Sequence, residues 1–256
     1  MAISLRQSAN SGWMSGTVGS FGATLGSTPT PGNVLLFTYT GMTYLASPFA
    51  YMSLPSGSTL SGQNNVIYGS SDTYMQLNMS YRVVQSGDSK TWSTSSPTGS
   101  TSPSVQAIVG CGLNIREINI DAGYNPVVAS NLITYVQGNS LNPMTGPNIT
   151  PAEYSALCFG CGVGFTPMSS TTDFTLTQSY CTPTTGWTTD VVQVSGSIYG
   201  EQDDVTLSSV SSGSVSMTGC NYSYVNGANI ESCFGLFSVS EVPAPNTSNF
   251  LMILGI

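Results

Sequence analysis

The stretch TPTPGNVLLFTYT (residues 28–40) decides the fold class. Two prolines, a glycine and an asparagine within its first six residues favour a turn over any regular element. The run that follows is β-branched, aromatic and apolar, which predicts a buried strand. The same pattern recurs along the chain. Residues 74–84 predict a long strand with partial alternation, and residues 105–111 predict another that ends near Gly112 and Asn114. Residues 115–118 then begin a further strand, and the apolar, Gly-rich residues 154–165 read as central to a sheet. Residues 191–199, 205–207, 215–218 and 231–239 complete the set.

Helical signals are sparse. The one candidate is residues 150–157, where Thr150 could cap, Pro151 occupies the first position and Glu153 lies three residues on. It reads as a single turn leading into a strand. No internal repeat and no interdomain linker is found, and the Ser/Thr/Gly/Pro stretch 93–104 has strand-like runs on both sides. The expectation is one domain over residues 1–256, an all-β, two-sheet β-sandwich of jelly-roll-like architecture. In such a sandwich the two halves of the chain are expected to interleave.

Charge narrows the function classes. Only 6% of the 256 residues are charged, there is no histidine, and the cations are Arg6, Arg82, Lys90 and Arg116. Against them residues 1–116 carry Asp72 and Asp88, a balance of +2, while residues 117–256 carry ten carboxylates and no cation, so that the whole stands at −8. Neutralising phosphates takes clustered Lys and Arg, so nucleic acid is excluded as a partner, and an anionic membrane surface on the same grounds. The start of the chain lacks the apolar core of a secretion signal. Its apolar end, FLMILGI (residues 250–256), is far shorter than the roughly 20 residues a membrane span needs. That end reads as a final strand, and residues 249–256 and the N-terminal segment 1–20 are the candidates for subunit contacts.

Reactive constellations are few. The six cysteines (Cys111, Cys158, Cys161, Cys181, Cys220, Cys233) include one close pair, Cys158 and Cys161, but no second pair and no histidine to complete a zinc site. In a strand, residues three apart face opposite sides, so all six read as small buried hydrophobes, with their oxidation state left open. Glu201, Asp203 and Asp204, with Asp190 and Asp173 elsewhere, form the densest acidic cluster and are the candidate cation ligands, weighed against a solvated turn. Trp13, Trp92 and Trp187 can stack on sugars or pack a core, and Trp187, in a turn-rich stretch, is the glycan candidate. Lys90 reads as exposed, which leaves it without the desolvation a basic lysine needs, and no histidine exists to activate a serine. The glycosylation pattern at Asn78, Asn148, Asn221 and Asn246 is what an Asn- and Ser-rich chain shows by chance, and no function is assigned to it.

An ordered series of segments resembles a β-sandwich domain of phage virion proteins, tail-associated or head-decorating. It comprises TPGNVLLF (residues 30–37), YRVVQSGDSKTW (residues 81–92), IREINID (residues 115–121), and the pair GFT (164–166) and GWT (186–188). The resemblance implies a non-enzymatic structural protein located in the virion, docking on neighbouring virion subunits as a homo-oligomer, with a trimer as the candidate. It implies no catalytic residue, no cofactor and no defined binding site. The alternative is a carbohydrate-binding receptor adhesin of a tail fibre, whose partner would be a host surface glycan. A polysaccharide-degrading enzyme, needing two facing carboxylates, ranks third.

Overall fold

The computed structural model describes residues 3–12, 14, 20–44, 49–50, 53–67, 73–95, 98–99, 108–135, 144–151, 156–165, 174–176, 181–182, 187–194, 201–210, 215–222 and 231–245. All regular structure among them is β. The first half contributes β1 (Ser4–Asn10), β2 (Ser20–Thr24), β3 (Val34–Tyr44), β4 (Phe49–Ala50), β5 (Thr59–Ile67), β6 (Thr73–Val83), β7 (Thr91–Ser95), β8 (Thr98–Gly99) and β9 (Ile108–Asn119). The second contributes β10 (Tyr124–Tyr135), β11 (Met144–Ile149), β12 (Ala156–Phe165), β13 (Phe174–Leu176), β14 (Cys181–Thr182), β15 (Trp187–Val194), β16 (Glu201–Val210), β17 (Val215–Tyr222) and β18 (Glu231–Pro243).

Two five-stranded antiparallel sheets dominate. The first has the order β1-β9-β3-β6-β5 and the second β10-β18-β12-β16-β15. They face each other across one core, in which Val34, Leu36, Leu77, Met79 and Ile118 of the first sheet meet Leu157, Phe159, Cys161, Phe237 and Val239 of the second. The other face of the first sheet is covered by the ribbon β2-β7, which closes a second core of Phe21, Ala23 and Trp92 over Leu35, Phe37, Tyr39, Leu113 and Ile115. A smaller sheet, β11-β17-β13 with β14 on β17, and the ribbon β4-β8 complete the described strands.

This layering explains the opening stretch. Gly32, at φ +91°, takes the left-handed conformation that glycine accepts readily, and Asn33 N donates to Thr30 O at 3.1 Å to close the turn. The strand β3 that follows lies at the centre of its sheet, between β9 and β6, and is covered on both faces. A strand with no wet face has no reason to alternate, hence the unbroken VLLF run.

Several expectations change. The break foreseen near Gly112 and Asn114 is absent: β9 runs through both, with Gly112 opposite Thr40 and Asn114 opposite Thr38. Ladder partners on both sides, β1 and β3, override the local turn preference. The helical turn foreseen at 150–157 is not formed in its described part, since Thr150 and Pro151 are irregular and Ala156 and Leu157 belong to β12. Residues 152–155 and the apolar end 249–256 lie outside the described residues. Within the N-terminal segment, Ser4–Asn10 pairs with β9 of its own chain.

The largest change concerns strand order. Successive strands of a jelly roll pass back and forth between its sheets. Here the first sheet is drawn wholly from residues 4–119 and the second wholly from residues 124–243. The halves do not interleave, so the asymmetry of charge in the sequence becomes one in space. Arg6, Arg82 and Arg116 all lie in the first sheet, and Lys90 on the approach to β7. The strands of the second sheet carry Asp190, Glu201, Asp203, Asp204, Glu231 and Glu241 and no cation.

Candidate functional site

Two polar clamps organise the ribbon side of the first sheet. The first centres on Glu117, a fully buried carboxylate on β9. One oxygen accepts from Thr30 N at 2.8 Å and from Asn33 Nδ2 at 2.6 Å. The other accepts from Gln7 Nε2 and faces Arg6 Nε at 3.6 Å. Gln7 also reaches the chain after β2, its Oε1 accepting from Ser27 N at 3.0 Å. Asn33 Oδ1 accepts from Ile120 N at 3.2 Å. One carboxylate thus ties β1, β9 and the 27–33 turn together, and a buried charge is tolerable because donors surround it.

The second clamp borders an open cleft of about 380 Å³ between the 55–58 and 85–89 turns and β7. Arg82, at the end of β6, donates from Nε and Nη2 to the two oxygens of Asp88, at 2.8 and 2.7 Å, a fork-to-fork pair. Its Nη1 donates to Gly57 O at 2.8 Å, and its guanidinium lies 5.7 Å from the centre of the Trp92 ring. Asp88 also accepts from Gln85 N at 2.8 Å. The guanidinium holds the Asp88 carboxyl below the usual carboxylate range. Gly57 takes φ +70°, a conformation that strains any other L residue, and a Cβ on it would also displace the Arg82 guanidinium. Around this clamp the cleft is lined by Ser56, Ser89, Thr91 and Ser93. Such a surface can hydrogen-bond a neutral polar group. Arg82, lying over the tryptophan, occupies a place a stacking sugar would need.

The residues singled out in the sequence fall as follows. Trp92 is a core residue, 7% exposed, packed on Phe37 with ring centres 5.3 Å apart. Trp13 lies outside the described residues, and Trp187 begins β15 opposite Leu207, with its side chain outside the description. Glu201, Asp203 and Asp204 do not form a turn. They belong to β16, with Asp203 opposite Gly162 and Val192 and Asp204 opposite Cys161 and Val191, because β12 and β15 bond that strand on both sides. Lys90 is exposed, and its carbonyl accepts from Leu25 N at 2.9 Å. Cys111, Cys158 and Cys161 are all buried, and burial pushes the Cys158 thiol up to about 12. Cys181, Cys220 and Cys233 lie on β14, β17 and β18. Asn78 is buried within β6, which closes that site to glycosylation.

Arg116 stands out in the sequence only as one of four cations, and Glu117 only within IREINID (residues 115–121). Their signal was an Arg-Glu pair inside a run of isoleucines, in a chain with very few charges. Arg116 is 1% exposed, its guanidinium 5.5 Å from the Phe159 ring centre across the sheet interface and 3.5 Å from Thr38 Oγ1. The fold and these clamps define an all-β protein of packed antiparallel sheets whose described ionic contacts serve its own architecture. Comparison with family models, curated proteins and solved structures finds no match for this chain.

Proposed function

We propose that the chain is a non-enzymatic structural protein that docks on neighbouring subunits of a virion, as a head-decoration or tail-associated component. The observation that carries this reading is where the charged groups are engaged. Glu117 holds a turn, Asp88 holds Arg82, and Arg116 packs against Phe159. The outward face of the ribbon is built instead from Ser20, Gly22, Thr24, Thr91 and Ser93. A surface of hydroxyls and backbone suits close neutral docking better than acid–base chemistry. The segments that resemble virion proteins also meet in this frame: residues 30–33 and 115–121 build the Glu117 clamp, and residues 81–92 the Arg82 clamp.

The test is the location of the protein. In particles sedimented from a lysate of the producing cells, quantitative mass spectrometry is expected to find the chain in fixed ratio to the shell or tail proteins. Recovery in the soluble fraction alone would overturn the reading. A glycan array with the intact protein and Trp187→Ala examines the adhesin alternative, which is favoured if binding is present and lost on substitution.

A further inference from the structure

Exposed sheet edges invite pairing with another chain, and proteins usually blunt them with bulges, charges or proline. The edges of the two large sheets follow that rule. β1 has a register shift between Leu5 and Gln7 and carries Arg6, and β5 is shifted between Leu60 and Gly62. β10 carries Pro126, and β15 is shifted between Thr189 and Val191. The ribbon strand β2 differs. Its residues, SFGAT, have no charge and no proline, and they pair with β7 in unbroken register.

The backbone of β2 also points the right way. Leu25 N donates to Lys90 O at 2.9 Å, one step beyond the Thr24–Thr91 pair. In an antiparallel ladder bonded and non-bonded pairs alternate, so Phe21 and Ala23 bond to β7 while Ser20, Gly22 and Thr24 direct their N–H and C=O away from it. The opposite margin of the ribbon is partly closed: Thr91 N donates to Ser89 Oγ at 3.0 Å and Ser95 N to Ser53 Oγ at 2.9 Å. Bonds of that kind do not cap β2 among the described residues, and all three outward residues are exposed.

We propose that β2 pairs antiparallel with β2 of a second copy of this chain, about a two-fold axis at Gly22, joining two ribbons into one four-stranded sheet. In that register Gly22 meets Gly22, and Ser20 of each copy meets Thr24 of the other. Each pair matches residues whose backbone groups point outward, so every one can exchange both hydrogen bonds. The strand is its own complement, as a two-fold contact requires. Charge favours the same choice. Residues 1–116 balance at +2, the strands of the second sheet carry acids without cations, and the ribbon covers the face of the first sheet opposite the second. Contact through β2 therefore keeps the two acidic sheets apart. A contact this short belongs at the weak end of interfaces and is reinforced where an assembly holds many copies together.

The experiment is sedimentation of the purified full chain over a concentration series. The expected result is a concentration-dependent dimer. The double variant Ser20→Lys with Thr24→Lys puts like charges opposite each other at both ends of the pairing and is expected to weaken it at least about tenfold. The variant Ser20→Lys with Thr24→Glu puts opposite charges in the same places and is expected to restore the dimer. Both positions are exposed, and an unchanged urea midpoint shows that each variant is folded. The proposal is overturned by a monomeric wild type, by a dimer that the double-lysine variant leaves intact, or by failure of the charge-swapped variant to restore association. It names a partner and a strand for the docking role above but uses no particle, so the two readings can fail separately.

Discussion

Arg116 and Glu117 are neighbours on β9, both almost completely buried, yet the two faces of the first sheet hold them in different ways. Towards the second sheet, Arg116 reaches the Phe159 ring and Thr38 in a largely apolar interface. Towards the ribbon, Glu117 lies among hydrogen-bond donors from Gln7 of β1 and from Thr30 and Asn33 of the 27–33 turn. The first arrangement bridges two sheets, whereas the second dictates the path of the chain within one layer. A buried charge is costly in both places, and removing the carboxylate strands the donors of Thr30 and Asn33.

Removing that carboxylate is therefore the most severe test. Glu117→Ala is expected to cost about 3–5 kcal/mol, since Asn33 Nδ2 would stay buried, and Thr30 N half-buried, without their acceptor. Arg116→Met refills much of the volume between the sheets and is expected to cost roughly 2 kcal/mol less. Urea midpoints at unchanged slope measure both. Equal losses would erase the distinction between the faces.

The second test is local to the ribbon side. Gly57→Ala forces a side chain into a left-handed backbone conformation and onto the Arg82 guanidinium. The expected loss is about 1–3 kcal/mol, with Arg82 displaced from Asp88. Tryptophan fluorescence should report that displacement, because Arg82 lies over Trp92. If stability falls but the Trp92 signal stays fixed, the clamp and the cleft are not coupled.

The two cores can also be compared through their thiols. Cys111 lies under the two-stranded ribbon, and Cys161 lies between the five-stranded sheets. Native protein at pH 8 should resist alkylation at Cys111, Cys158 and Cys161, since all three are buried and Cys158 is pushed up to about 12. In low urea the thinner layer is expected to open first, so that Cys111 labels before Cys161, a difference in opening free energy of about 1–2 kcal/mol. Simultaneous labelling, read by mass spectrometry, would mean that the two cores open as one unit.

What the sequence made legible is what local chemistry controls. Pro31, Gly32 and Asn33 announce the turn, and the run after them announces a covered strand. Hydrogen-bonded partners distant in sequence decided the rest. Gly112 and Asn114 look like the end of a strand until β1 and β3 pair with β9 on its two sides. The Glu201–Asp204 segment looks like a solvated turn until β12 and β15 enclose it. Glu117 accepts from residues 84 and 87 positions away, a relation that no spacing rule can show. The sorting of the chain halves into separate sheets is likewise a property of strand order, to which hydrophobic periodicity is blind.

The mildest test concerns the Arg82–Asp88 clamp, which stands nearer to solvent than Glu117 does. Its fork geometry is good, but water and salt screen a pair at the rim of a cleft, so Asp88→Asn is expected to cost under about 1 kcal/mol at neutral pH, and less in high salt. The sign with pH follows from the partner. Arg82 holds the folded carboxyl below its ordinary value, so the unfolded chain takes up the proton first as the medium is acidified. The stability the clamp contributes is complete above the ordinary aspartate value of about 3.9 and is lost as pH falls through the lower folded value. Wild type and Asp88→Asn should therefore differ in urea midpoint at pH 7 and converge as the pH falls through the lowered folded value. A gap between wild type and Asp88→Asn that persists at the acid end would mean that Asp88 acts through packing in the 85–88 turn, and the surface clamp would then resemble the buried one.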